Sequence, residues 1–129
     1  MQQRNYQREM DALIASLDAR PRLLLHSCCG PCSSACLERL APRFDIDVFF
    51  YNPNILPAEE WEKRLFWQKH LLETAPFGKN VGLIVPERDE TAFRLAAAGL
   101  EAEAEGGARC TECFVLRLSR TAAAAREGG

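Results

Sequence analysis

Three short apolar runs, each followed by a helical pattern, set the narrowest limit on what this chain can fold into. They are RLLLH at 22–26, IDVFFY at 46–51 and VGLIV at 81–85. Apolar stretches of this length, rich in branched and aromatic residues and bounded by turn formers, read as buried strands. Tyr6, Met10, Leu13, Ile14 and Leu17 fall at helical spacing ahead of the first run, and Pro21 closes that helix. Helices are expected at 33–40 and from Pro57 to about Thr74, with Pro57, Glu59 and Glu60 suited to a first turn. A further helix is expected to be capped by Asp89 and to end at Gly99, and a last one to open at Thr111 or Glu112. Strands alternating with helices predict an α/β fold with a parallel sheet.

At 129 residues, 47% of them hydrophobic and 26% charged, the chain fits a single globular domain. No apolar run approaches the roughly 20 residues that span a bilayer, so no membrane partner is expected. The first residues, MQQRNYQREMDAL, are polar where a secretory signal needs an apolar stretch, and a cytoplasmic protein is expected. Sixteen Lys and Arg against 18 Asp and Glu give a net charge of −2, which argues against a protein that lives by non-specific phosphate binding. Glu101, Glu103 and Glu105 read as a solvated acidic loop.

In parallel sheets the functional crevice lies beyond the carboxyl ends of the strands. Two such ends carry unusual chemistry here: His26-Ser27-Cys28-Cys29-Gly30-Pro31-Cys32, and Tyr51-Asn52-Pro53-Asn54. Cys36 follows the first group, and Cys110 and Cys113 form a distant C-x-x-C pair. Six cysteines in a cytosolic chain point to metal or redox chemistry rather than structural disulfides.

Three chemistries compete for these thiols. Cys29-Gly30-Pro31-Cys32 has the spacing of a thioredoxin-like thiol–disulfide site, where a helix N-terminus lowers a thiol pKa. Cys28 has no role in that reading, and no closing hairpin pattern is present. A structural zinc site generally uses two C-x-x-C knuckles close together, whereas these groups bracket most of the chain. An iron–sulfur cluster accepts thiolates drawn from distant segments, and it accounts best for both groups. On spacing alone, ligation is balanced against burial of the same cysteines as small apolar side chains. Cys36, one turn beyond Cys32, reads as core, as do Trp61, Phe66 and Trp67. His26 reads as a satisfied group that hydrogen-bonds near the site. Arg109, Arg117 and Arg120 read as a solvated charged face. Tyr51, Asn52 and Asn54 are candidates for substrate contact, balanced against plain turn chemistry.

The blocks LLLHSCCGPCSSACLERL, FFYNPNILPAEEWEKR and EGGARCTECFVLRLSRTA, in that order, closely resemble the QueH-type epoxyqueuosine reductases. The resemblance implies a three-layer, Rossmann-like α/β fold similar to the adenine nucleotide alpha hydrolase class. It implies a 4Fe-4S cluster and reduction of epoxyqueuosine in tRNA to queuosine, the last step of queuosine biosynthesis, with an electron donor as second partner. By motif, Cys28, Cys29, Cys110 and Cys113 would be the cluster ligands. Cys32 would be a catalytic thiol or serve an additional adjacent iron. The family continues past this point with a C-terminal redox-active cysteine pair, so residues 1–129 are expected to form one iron–sulfur domain of a C-terminally truncated chain. The alternatives are a thioredoxin-like oxidoreductase using Cys29 and Cys32, and a non-catalytic metal-binding module.

Overall fold

The expected strands pair side by side into one parallel sheet. The computed structural model describes residues 3–100, 102 and 106–128. The acidic loop positions Glu101, Glu103 and Glu105 lie outside the described residues. The elements run α1 (Tyr6–Ala15), β1 (Arg22–His26), α2 (Gly30–Leu40), β2 (Asp45–Phe49), α3 (Ala58–Thr74), a 3-10 turn (Pro76–Asn80), β3 (Gly82–Ile84), α4 (Glu90–Ala96) and α5 (Ala108–Gly128). The sheet order is β1-β2-β3, with Leu25 opposite Val48 and Val48 opposite Leu83. The short β-α-β connections enforce this arrangement, because parallel neighbours need a crossover helix.

One face of the sheet carries the core. Leu37 of α2 and Val48 of β2 are fully buried and Ile46 nearly so, with Leu23, Leu25, Leu71, Leu72, Phe77 and Leu83 packed around them. Side chains of this size contribute about 1.5–3 kcal/mol each when fully buried. The helix α5 packs against β1 and α4, and its Ala124 and Ala125 line a cleft with Leu24, Asp47 and Ile84 on the other face. Helices therefore flank both faces, in the three-layer Rossmann-like arrangement. At the amino-terminal end, Arg20 clasps the loop after α2, its guanidinium donating to the carbonyls of Ala41, Pro42 and Phe44 and to Asp45 Oδ1.

Several boundaries shift for local reasons. Helix α2 starts three residues earlier than its apolar pattern suggested, because Pro31 fits a first helical turn and loses no backbone donor there. Helix α5 also starts earlier, so Cys110 and Cys113 both lie within it. Helix α4 is shorter than expected, although Asp89 caps it as predicted, its carboxylate accepting from Ala92 N at 3.1 Å.

The expectation that Phe66 and Trp67 are core residues is corrected. They are 59% and 48% exposed and stack edge-on against each other, with His70 beside them. The inward stripe of α3 runs instead through Trp61, Leu65, Gln68 and Leu72, and helical periodicity turns positions 66, 67 and 70 outward. Trp61 packs edge-on against the buried Phe50 at 5.6 Å between ring centroids. Cys36 is likewise exposed rather than core, since α2 buries Gly30, Ser33 and Leu37.

Candidate metal centre

The chain leaves β1 at His26, and the next six residues deliver three thiols to one place. Cys29 is the extended residue that precedes α2, and Cys32 lies in the helix's first turn. That turn brings Cys32 Sγ back to 2.8 Å from Cys29 Sγ, while Cys28 Sγ lies 3.9 Å from Cys29 Sγ. The three sulfurs fall within 4.8 Å of one another, and among the described residues no other group of His, Cys, Asp or Glu side chains converges in this way. All six cysteines are free thiols.

The surrounding loop is held from three sides. Asn52 Nδ2 donates to Ser27 O at 2.8 Å, and the His26 ring bonds Tyr51 O through Nε2 at 2.8 Å. These bonds tie the end of β1 to the end of β2. From α3, the backbone of Trp67 presses on Gly30 so closely that a Cβ there would lie 2.7 Å from Trp67 O. Only glycine lets the α2 N-terminus approach α3 to this extent.

The thiols differ in acidity. Burial pushes Cys29 up, but hydrogen bonds from Cys32 and Cys28, with the charge of Arg64, outweigh it and hold Cys29 below the ordinary thiol value. Donating to that thiolate pushes Cys32 up to about 12. The first proton lost by the pair therefore comes from Cys29, while Cys32 retains its own. Burial also holds the His26 imidazole below its usual value, opposed by the bond to Tyr51 O and reinforced by Arg117.

The remaining candidates take different places. Tyr51 and Asn52 are 3% and 1% exposed, and the Tyr51 ring lies 5.5 Å beneath the Arg120 guanidinium. Arg117, on the same helical face as Cys113 one turn earlier, lines a cleft of about 130 Å³ together with His26, Cys28, Cys32 and Cys36. Two arginines expected on a solvated face thus turn toward the strand ends, which helical spacing from Cys113 could have signalled. Cys113 is buried and Cys110 half-buried, its sulfur accepting from Gly106 N at 3.2 Å; both lie outside the three-thiol group. Among the described residues, the buried polar side-chain atoms without a protein partner are Asn52 Oδ1, Asn54 Oδ1, Gln68 Nε2, Arg88 Nε and Arg117 Nε. Such atoms are rare in a finished interior and mark a place where further polar groups are received.

Soft thiolates at these spacings suit a thiophilic metal, so Cys28, Cys29 and Cys32 could hold one by donor chemistry and geometry. A family model described as epoxyqueuosine reductase QueH matches residues 23–129. The chain belongs to that family. Among QueH relatives, the epoxyqueuosine reductase of Staphylococcus epidermidis is 39% identical over 132 residues, covering 97% of this chain and 56% of its own length. That of Streptococcus pyogenes serotype M1 is 36% identical, with 97% and 51% covered. That of Acinetobacter baylyi is 40% identical, with 87% and 50% covered. The chain spans about half the length of the curated QueH relatives it matches. No helix among the described residues is long and apolar enough to cross a membrane.

Tyr51 offers a check on this packing. Burial and the Asp89 carboxylate raise its phenol above the ordinary value, and Arg120 opposes them. The folded chain then keeps a proton that the unfolded chain loses near pH ~10, so stability falls as pH rises through that value. Tyr51→Phe is expected to show a smaller drop in urea midpoint between neutral pH and pH ~10.5 than the parent. An equal drop in both would contradict the placement of Tyr51.

Proposed function

We propose that this chain carries the metal centre of an epoxyqueuosine reductase, a cytoplasmic enzyme that reduces epoxyqueuosine in tRNA to queuosine. The observation that carries the reading is the convergence of Cys28, Cys29 and Cys32 at the carboxyl end of a parallel sheet, in a chain of the QueH family. Cys28, Cys29, Cys110 and Cys113 hold a 4Fe-4S cluster in this reading, with residues 1–129 acting as one domain. Cys32 stands beside it as a catalytic thiol or as a ligand to an adjacent iron.

The reaction removes the epoxide oxygen and leaves an alkene: two electrons and two protons are consumed and one water is released. A cluster held by these cysteines would supply one-electron chemistry, with the electrons coming from an external donor. The chain's own side chains provide the rest. Cys32 keeps its proton at neutral pH and is exposed, so its Sγ suits delivery of a proton to the departing oxygen. Arg117, facing the same cleft, stabilises negative charge developing on that oxygen. Tyr51, Asn52 and Asn54 form the wall of the crevice against which the modified base rests, with the Asn54 amide oxygen available to it.

Anaerobic reconstitution with iron and sulfide tests this reading. The expected product is a brown protein with equal amounts of iron and inorganic sulfide, bleached by dithionite. Such a protein should convert epoxyqueuosine-bearing tRNA to a product lighter by one oxygen. A colourless protein would overturn the cluster assignment. A second reading rests on the 2.8 Å Cys29–Cys32 contact and the lowered Cys29 pKa: a thiol–disulfide oxidoreductase. It requires insulin reduction that survives loss of Cys110 and Cys113.

A further inference from the structure

The inward stripe of α3 is apolar except at one point. Gln68 is fully buried there, between residues that pack on the sheet and on Phe50. An amide in such a place destabilises the fold unless hydrogen bonds offset its loss of water. Its Oε1 lies 2.5 Å from Ser27 Oγ and 3.3 Å from Ser33 Oγ. Ser27 immediately precedes Cys28, and Ser33 immediately follows Cys32. The two hydroxyls therefore bracket the thiol group.

Each hydroxyl proton has two acceptors within reach, a loop carbonyl and Gln68 Oε1. Ser27 Oγ donates to Cys29 O at 3.0 Å, and Ser33 Oγ donates to Gly30 O at 3.1 Å. The Gln68 amide oxygen has two lone pairs, so it accepts from both hydroxyls and links the two ends of the segment. The amide oxygen thus faces the serines. Gln68 Nε2, on the other side of the amide, is buried without a partner among the described residues.

We propose that Gln68 is a positioning residue for the thiol group: by accepting from Ser27 and Ser33 it pins both ends of the 28–32 segment and sets how closely the Cys28, Cys29 and Cys32 sulfurs approach. The inference rests on reading that group as a metal site. Backbone contact between Trp67 and Gly30 persists without the Gln68 side chain, so the fold is expected to survive its replacement.

Anaerobic titration with cobalt(II) tests the proposal on the parent, Gln68→Met, Gln68→Glu, the Ser27→Ala/Ser33→Ala double variant and its combination with Gln68→Met. Gln68→Met is expected to bind cobalt about 10–100-fold more weakly and to shift the thiolate-to-cobalt charge-transfer bands. Gln68→Glu keeps the shape and an accepting oxygen, and is expected to bind cobalt closer to the parent than Gln68→Met does. In the background lacking both hydroxyls, Gln68→Met is expected to have no further effect, because the residues act as one unit. Cobalt affinity and bands unchanged in Gln68→Met, or a full additional loss in the serine-less background, would overturn the proposal.

A metal-free readout separates this from the metal reading. The chain is equilibrated with glutathione redox buffers, and the Cys29–Cys32 disulfide is quantified by peptide mapping. Two thiols lose two protons and two electrons to oxidised glutathione, which becomes two reduced molecules. A disulfide fraction that shifts between parent and Gln68→Met supports positioning even if the parent binds no cobalt, in which case the metal reading alone fails. An unchanged fraction overturns positioning.

Discussion

Cys29→Ser is expected to weaken metal binding by about 100-fold and to leave a colourless protein after reconstitution. Cys29 sits in the middle of the thiol group, 3.9 Å from Cys28 and 2.8 Å from Cys32, and carries the most acidified sulfur of the pair it forms with Cys32. Four-ligand structural metal sites are worth about 10–16 kcal/mol, so one thiolate accounts for about 3 kcal/mol, or about two powers of ten in affinity. Serine keeps the volume and the chain direction at the start of α2 but is a poor ligand for a thiophilic metal. Cys36→Ser serves as the control, since Cys36 is exposed and outside the three-sulfur group. Competition against a chelator of known affinity reads both variants. A Cys29→Ser protein that binds within threefold of the parent would remove Cys29 from the site.

Leu37→Ala is expected to destabilise the fold by about 3 kcal/mol, read as a fall in urea midpoint with an unchanged slope. Leu37 is fully buried beneath Ile46 and Val48, and the close packing of that face leaves little room for collapse around a deleted isobutyl group. A domain of this size is stable by only about 5–15 kcal/mol, so the loss is a large share of the total. The effect reaches the metal group as well, because Leu37 seats the helix whose first turn carries Cys32. Leu37→Met keeps most of the volume and is expected to cost under about 1.5 kcal/mol. Equal midpoints for Leu37→Ala and the parent would mean that α2 is not seated as described.

The strands and their order along the chain were legible because buried strands need uninterrupted apolar runs, and 22–26, 46–51 and 81–85 supply them. The observed strands fall within these runs or extend one residue ahead, at Asp45. The crevice was legible for the same reason, since parallel strands direct their carboxyl ends to one side, where the cysteine and asparagine turns follow. Periodicity was less informative for α3. Its mixed aromatic and charged stretch does not announce which face is buried, and Phe66 and Trp67 were misread while Gln68 passed as ordinary. A buried glutamine gives no local signal, because its partners, Ser27 and Ser33, lie 41 and 35 residues away.

What the sequence determined by itself is local: α/β alternation, and three thiols spaced closely enough to meet. Short-range spacing suffices for these, since neighbours along a chain cannot move far apart. Only the tertiary structure decided that α2 begins early enough to return Cys32 to Cys29, and that Arg117 and Arg120 turn toward the strand ends. It also decided that α3 reaches across to hold the loop through Gln68. Those outcomes depend on how separate helices seat on a shared sheet, which is set by the packing of all of them together rather than by any one segment.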